Sequence, residues 1–81
     1  QFFSSRIKVS VKNEPGSLGK LATIVGNEKG NITNLNISER GEDFFDMIFV
    51  IDVNNLLHLD SIINTLKKVE NVSTVSRLFI N

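Results

Sequence analysis

The sequence predicts an α+β sandwich of element order β-α-β-β-α-β, and three observations carry that prediction. Four stretches hold apolar residues at or near the two-residue period of a strand, and two hold them at the helical period. The helical stretches fall inside connections long enough to cross a sheet, which places the first and third strands side by side. Glycine, proline and asparagine punctuate the joins.

Each element follows in order. Arg6 to Lys12 alternates strictly, with Ile7, Val9 and Val11 on one side and Lys8 and Ser10 on the other, as in a strand with one wet face. Asn13-Glu14-Pro15-Gly16 ends it, because proline fixes φ and lacks a donor while Gly16 tolerates positive φ. Leu18, Leu21, Ala22 and Val25 then keep helical spacing, with Ser17 the expected N-cap and Gly30 the expected left-handed terminator. In the next strand, Asn31 to Glu39, Leu35 and Ile37 share a face. Ile32 is out of phase with them, so a bulge is expected near Thr33. Arg40-Gly41-Glu42 reads as a hairpin turn with Gly41 at positive φ.

Phe44 to Val53 is the longest strand. Phe45, Met47, Phe49, Ile51 and Val53 line one face, and Phe44, Asp46, Ile48, Val50 and Asp52 the other. Three apolar residues on that second face mark a central strand whose back can meet another surface. Asn54 and Asn55 offer caps for a second helix carrying Leu59, Ile62, Ile63 and Leu66. Asn71 breaks it, and Val72 to Ile80 forms the last strand, with Val75 and Phe79 on one face and Leu78 and Ile80 on the other. Right-handed crossovers then put both helices on one side of a four-stranded antiparallel sheet, a ferredoxin-like sandwich.

Composition narrows the function. Eighty-one residues make one domain, 1–81, with 1–5 as an N-terminal flank, and 41% hydrophobic with 22% charged residues is globular rather than disordered. Nine basic residues balance nine acidic ones, so no positive field draws nucleic acid or an anionic membrane. No cysteine is present for disulfides or thiolate metal sites, and no apolar run approaches the roughly 20 residues that span a bilayer. Gln1-Phe2-Phe3 lacks a charged n-region and an initiator Met, and reads as the cut end of a longer chain rather than a signal peptide.

No constellation for catalysis stands out. His58 is the single histidine and has no orienting carboxylate on its helical face, so it is read as a surface helix residue. Glu42, Asp43 and Asp46 read as a solvated turn rather than a cation site, and Gly26 and Gly30 do not open a helix as a phosphate loop would. RNA-recognition motifs share the element order but stack bases on aromatics of the first and third strands. The first strand here has none, and acidic Asp43 and Asp46 flank the aromatics of the third. Binding, without cofactor or metal, is the function class that remains.

The segment Asn13-Glu14-Pro15-Gly16-Ser17-Leu18 resembles the signature turn of ACT domains, small regulatory modules that bind amino acids or other effectors. Lys29-Gly30-Asn31-Ile32-Thr33-Asn34-Leu35 resembles the corresponding helix-to-strand segment of the C-terminal ACT domain of RelA/SpoT-type enzymes. The resemblance continues through Phe44-Phe45-Asp46-Met47, Leu56-Leu57-His58-Leu59 with Ile62-Ile63, and Val75-Ser76-Arg77-Leu78. It implies a cytoplasmic GTP pyrophosphokinase family that makes and hydrolyses (p)ppGpp in the stringent response, with N-terminal catalytic domains that this chain lacks.

What the resemblance implies for this chain is a ligand-binding set of Asn13, Gly16, Leu18, Asn31, Ile32 and Asn34. Gly16 and Leu18 would give backbone N–H groups to a carboxylate, Asn13 or Asn31 would accept from an ammonium, and Ile32 would shape an apolar pocket. The first turn residue, often Asp in ACT domains, is Asn13 here, which removes a charge that would anchor an ammonium. The implied partners are a small effector such as a branched-chain amino acid, a second copy paired through strand two and helix one, and the parent chain's catalytic domains. The alternative is a protein- or ribosome-docking module that uses Phe44, Ile48 and Val50 and takes no small ligand.

Overall fold

A computed structural model describes residues 3–78. The elements are β1 (Phe3–Lys12), α1 (Ser17–Asn27), β2 (Asn31–Arg40), β3 (Phe44–Val53), α2 (Leu56–Lys67) and β4 (Val72–Leu78). The four strands form one antiparallel sheet in the order β2-β3-β1-β4. Both central strands are those expected, and β2 and β4 are the edges. Among the described residues no helix is long and apolar enough to cross a membrane.

The alternation in β1 and β3 becomes the two faces of the sheet. Ile7, Val9 and Val11 of β1 and Met47, Phe49, Ile51 and Val53 of β3 are fully buried under the helices, as are Leu21 and Val25 of α1 and Leu59, Ile62 and Leu66 of α2. Burying each such side chain contributes about 1.5–3 kcal/mol before the entropy of ordering is set against it. Helix α1 lies against β2 and α2 against β4, and the molecule is only 17 Å thick, one sheet and one helix layer.

The bulge expected near Thr33 is present. The register of β2 on β3 shifts between Ile32 and Asn34, so Ile32 opposite Ile51 joins Leu35 opposite Phe49 on the core face. A second shift lies between Ile37 and Glu39. Asn55 caps α2 as expected, its side chain accepting from the His58 amide.

Other local expectations are corrected. Strand β1 starts at Phe3 rather than Arg6, so residues 3–5 belong to the sheet. The N-cap of α1 is Gly16, with no side-chain cap, and Ser17 is instead a buried first-turn residue. Leu18 stands 39% exposed and the buried stripe runs through Leu21 and Val25, because Ser17 takes the inward position at the helix start. Lys29, with φ of 68°, holds the left-handed turn assigned to Gly30, and among the described glycines only Gly16 has positive φ, so Gly41 does not. In β4, Val75 is on the core face and Leu78 on the open face, opposite Arg6; Phe79 and Ile80 lie outside the described residues.

Candidate functional site

The turn leading into α1 is built by its own sequence. Pro15 sets φ at the first corner, and Gly16 at φ 83°, ψ −2° occupies the second corner of a type II turn closed by the Ser17 amide donating to the Glu14 carbonyl at 3.2 Å. Ser17 then locks the turn to the sheet. Its hydroxyl donates to the Lys12 carbonyl at 2.9 Å and accepts from Asn71 Nδ2 at 3.1 Å, while the Lys12 amide donates to the Asn71 carbonyl at 2.8 Å. Asn71 is thus a supporting residue of the turn, 54 positions away from Ser17, and no sequence signal marks that link.

At the start of α1 the Lys20 amide is the first to meet a helical acceptor, the Gly16 carbonyl. Among the described residues the amides of Gly16, Leu18 and Gly19 have no backbone acceptor, which leaves donors at the positive end of the helix dipole. Asn13 stands beside them, its amide donating to the Asp43 carbonyl at 2.7 Å and its Nδ2 to the Glu42 carbonyl at 3.3 Å. Oδ1 of Asn13 keeps its acceptor capacity.

Asn31, Ile32 and Asn34 lie at the other end of the sheet. Lys12 pairs with Phe44, whereas Asn31 pairs with Asp52, eight residues further along β3. At ~3.4 Å per residue the two segments are separated by about 27 Å. A single chain therefore does not bring the two halves of the expected ligand set together. They also differ in facing. Asn31 and Asn34 pair with the open-face residues Asp52 and Val50, and Ile32 pairs with the core-face residue Ile51.

Concave surface exists near the turn but on its β4 side. An open recess of about 340 Å³ is lined by Lys12, Glu14, Lys20, Glu70 and Asn71. A neighbouring one of about 240 Å³ runs past Phe44, Val72 and Ser73. None of the six expected ligand residues lines either recess. Among the described residues no group of three or more His, Cys, Asp or Glu side chains could hold a metal ion. On the open face Lys8 pairs with Asp46 at 3.6 Å. His58 is half-buried rather than a free surface residue. Its Nε2 lies 2.6 Å from the Glu28 carbonyl, and its Nδ1 3.0 Å from the Asn54 amide.

Comparisons with known proteins agree with the fold. A family model described as "ACT domain" matches residues 1–77. The chain is 42% identical over 76 residues to GTP pyrophosphokinase rsh of Brucella suis biovar 1, covering 94% of this chain and 10% of that protein. The same enzyme of Brucella abortus is 41% identical over the same length. The chain thus spans about a tenth of the curated relatives it matches. Among solved structures, the crystal structure of the ACT domain from GTP pyrophosphokinase of Chlorobium tepidum superposes with a TM-score of 0.82 at 23% identity, covering 96% of this chain and all of that one. A homoserine dehydrogenase from Thiobacillus denitrificans superposes with a TM-score of 0.79 at 16% identity, over 96% of this chain and 17% of that one. At those identities the structural likenesses show the fold.

Proposed function

This chain belongs to the ACT-domain family and is homologous to the ACT domain of GTP pyrophosphokinase rsh, of the RelA/SpoT family, and on that premise we propose that it is the effector-binding regulatory module of such an enzyme. In this reading it works in the cytoplasm and passes nutrient status to catalytic domains elsewhere in the parent chain during the stringent response. The observation that carries the effector part is the set of unpaired amides at Gly16, Leu18 and Gly19. Donors at a helix start suit a carboxylate, and Gly16 lets the ligand approach with no Cβ in its way.

The separation of the two halves of the site supports a second copy of the chain as its other wall. Strand β2 is an edge with an unpaired row of backbone groups. Two such edges pairing antiparallel about a two-fold axis would set Asn31 of one protomer against the Arg40 end of its partner. That end of β2 lies beside the hairpin whose Glu42 and Asp43 hold Asn13. Each dimer would then carry two sites, each with a turn from one protomer and Asn31, Ile32 and Asn34 from the other. A branched-chain amino acid fits the roles, its carboxylate on the turn amides and its side chain toward Ile32.

Titration of the chain with each amino acid, read by backbone amide shifts, tests the proposal. Gly16, Leu18, Asn31 and Ile32 should move together at millimolar ligand. If none moves, the sensing role is lost. The docking reading would then gain ground, and the observation in its favour is Phe44, 43% exposed beside half-buried Ile48 and Val50 on the open face.

A further inference from the structure

Both ring nitrogens of His58 are occupied, and their partners fix its proton. The Asn54 backbone amide is a donor, so Nδ1, 3.0 Å away, must accept. Nε2 therefore carries the hydrogen and donates to the Glu28 carbonyl at 2.6 Å. Only the neutral Nε2–H tautomer satisfies both bonds. An imidazolium would set an Nδ1–H against the Asn54 N–H, two donors facing each other.

The two partners lie on different parts of the fold. Asn54 is in the connection from β3 to α2, directly before the α2 N-cap Asn55. Glu28 is the C-cap of α1, where carbonyls have no helical donor. Three residues later the chain becomes β2 at Asn31. The Glu28 carboxylate reinforces the junction by accepting from Ser61 Oγ at 2.8 Å, one turn of α2 beyond His58. His58 therefore ties the start of α2 to the segment that delivers β2.

We infer that His58 is a proton-operated latch: neutral, it clamps the α1–β2 connection to the start of α2, and protonated, it releases the Asn54 amide and loosens the approach to β2. Of the charged groups on the elements about it, Glu28 faces it from the α1–β2 connection with Lys29 beside it, Asp60 lies two residues on along α2 and off its helical face, and Asp52 is next to last in β3 on the open side of the sheet. Glu28 is the one whose side chain also bonds α2, so it can take up the new charge as the Asn54 bond is lost. The latch operates on the chain's own backbone and needs no effector, so its failure and that of the sensing role are separately readable.

Nitrogen-15 spectra of the imidazole and amide hydrogen exchange, followed as the pH is lowered until the ring takes up a proton, test the latch. At the high end the spectrum should be that of the Nε2–H tautomer. As His58 titrates, the protection factor of the Asn54 amide should fall about 3- to 10-fold, the net worth of one hydrogen bond, with Asn31 following. The variant His58→Gln keeps a donor for Glu28 and cannot titrate, so its profile should be flat with pH. An Nδ1–H tautomer at high pH, or Asn54 protection unchanged while the wild-type ring titrates, overturns the inference without any variant.

Discussion

At position 16 an added methyl group would meet no atom within 4 Å, so the case for glycine there is conformational rather than steric. A φ of 83° lies where L side chains crowd the following carbonyl. Gly16→Ala should therefore destabilise the domain by about 1–2 kcal/mol, read as a lower urea midpoint with an unchanged slope. Gly16 was legible from sequence because a Pro-Gly pair encodes its turn locally. Gly41 was not, since the hairpin closes by the Gly41 amide donating to the Phe44 carbonyl without any positive φ. Ser17 shows the limit of local rules in another way. As a serine before an apolar run it looks like a cap, yet its hydroxyl serves Lys12 and Asn71 because the helix start is pressed against the sheet.

The end of α1 shows how one element divides two demands between neighbours. The Gly30 amide donates to the Val25 carbonyl and the Lys29 amide to the Gly26 carbonyl, the bond pair of a Schellman motif with Lys29 at the left-handed position. Gly30 is small for a different reason, because a Cβ there would come within 2.9 Å of both Ile62 Cδ1 and Val25 Cγ1. Sequence rules assign the positive φ to the glycine, yet it falls on Lys29, while the packing of α1 on α2 is what keeps position 30 small. Exchanging the demands has opposite outcomes. Lys29→Gly should stabilise by about 0.5–1 kcal/mol by relieving the left-handed lysine, whereas Gly30→Ala should cost about 1–3 kcal/mol by overpacking. Thermal melts of the two variants check both signs. The bulge in β2, by contrast, was visible in the sequence, since Ile32 can reach the core face only if the register slips.

Over the whole molecule, the edge strand β2 is the feature on which the proposed pairing of two copies turns. Ile37 is 39% exposed on β2 and Leu18 39% exposed on α1, both on the half of the sandwich that carries the free edge. If two copies pair there, Ile37→Lys should convert a sedimenting dimer to a monomer while leaving the melting temperature of the monomer within a few degrees. A wild-type chain that sediments as a monomer at every concentration up to millimolar would remove the second wall of the proposed site. The open face of the sheet, where Phe44, Ile48 and Val50 lie among Arg6, Lys8 and Asp46, is not needed for that pairing.

By itself the sequence determined the element order, the phase of β1 and β3, the bulge and the proline-glycine turn with its positive φ at Gly16. Each of these follows from residues within one turn or one strand of each other, where periodicity and backbone sterics act directly. Tertiary structure alone decided that Asn13 to Gly16 and Asn31 to Asn34 stand at opposite ends of the sheet, that Asn71 supports Ser17, and that His58 joins Asn54 to Glu28. Those relations depend on which way the crossovers run and how α1 and α2 settle on the sheet. Short-range preferences carry no record of that, because the side chains concerned meet only after the core has closed between them.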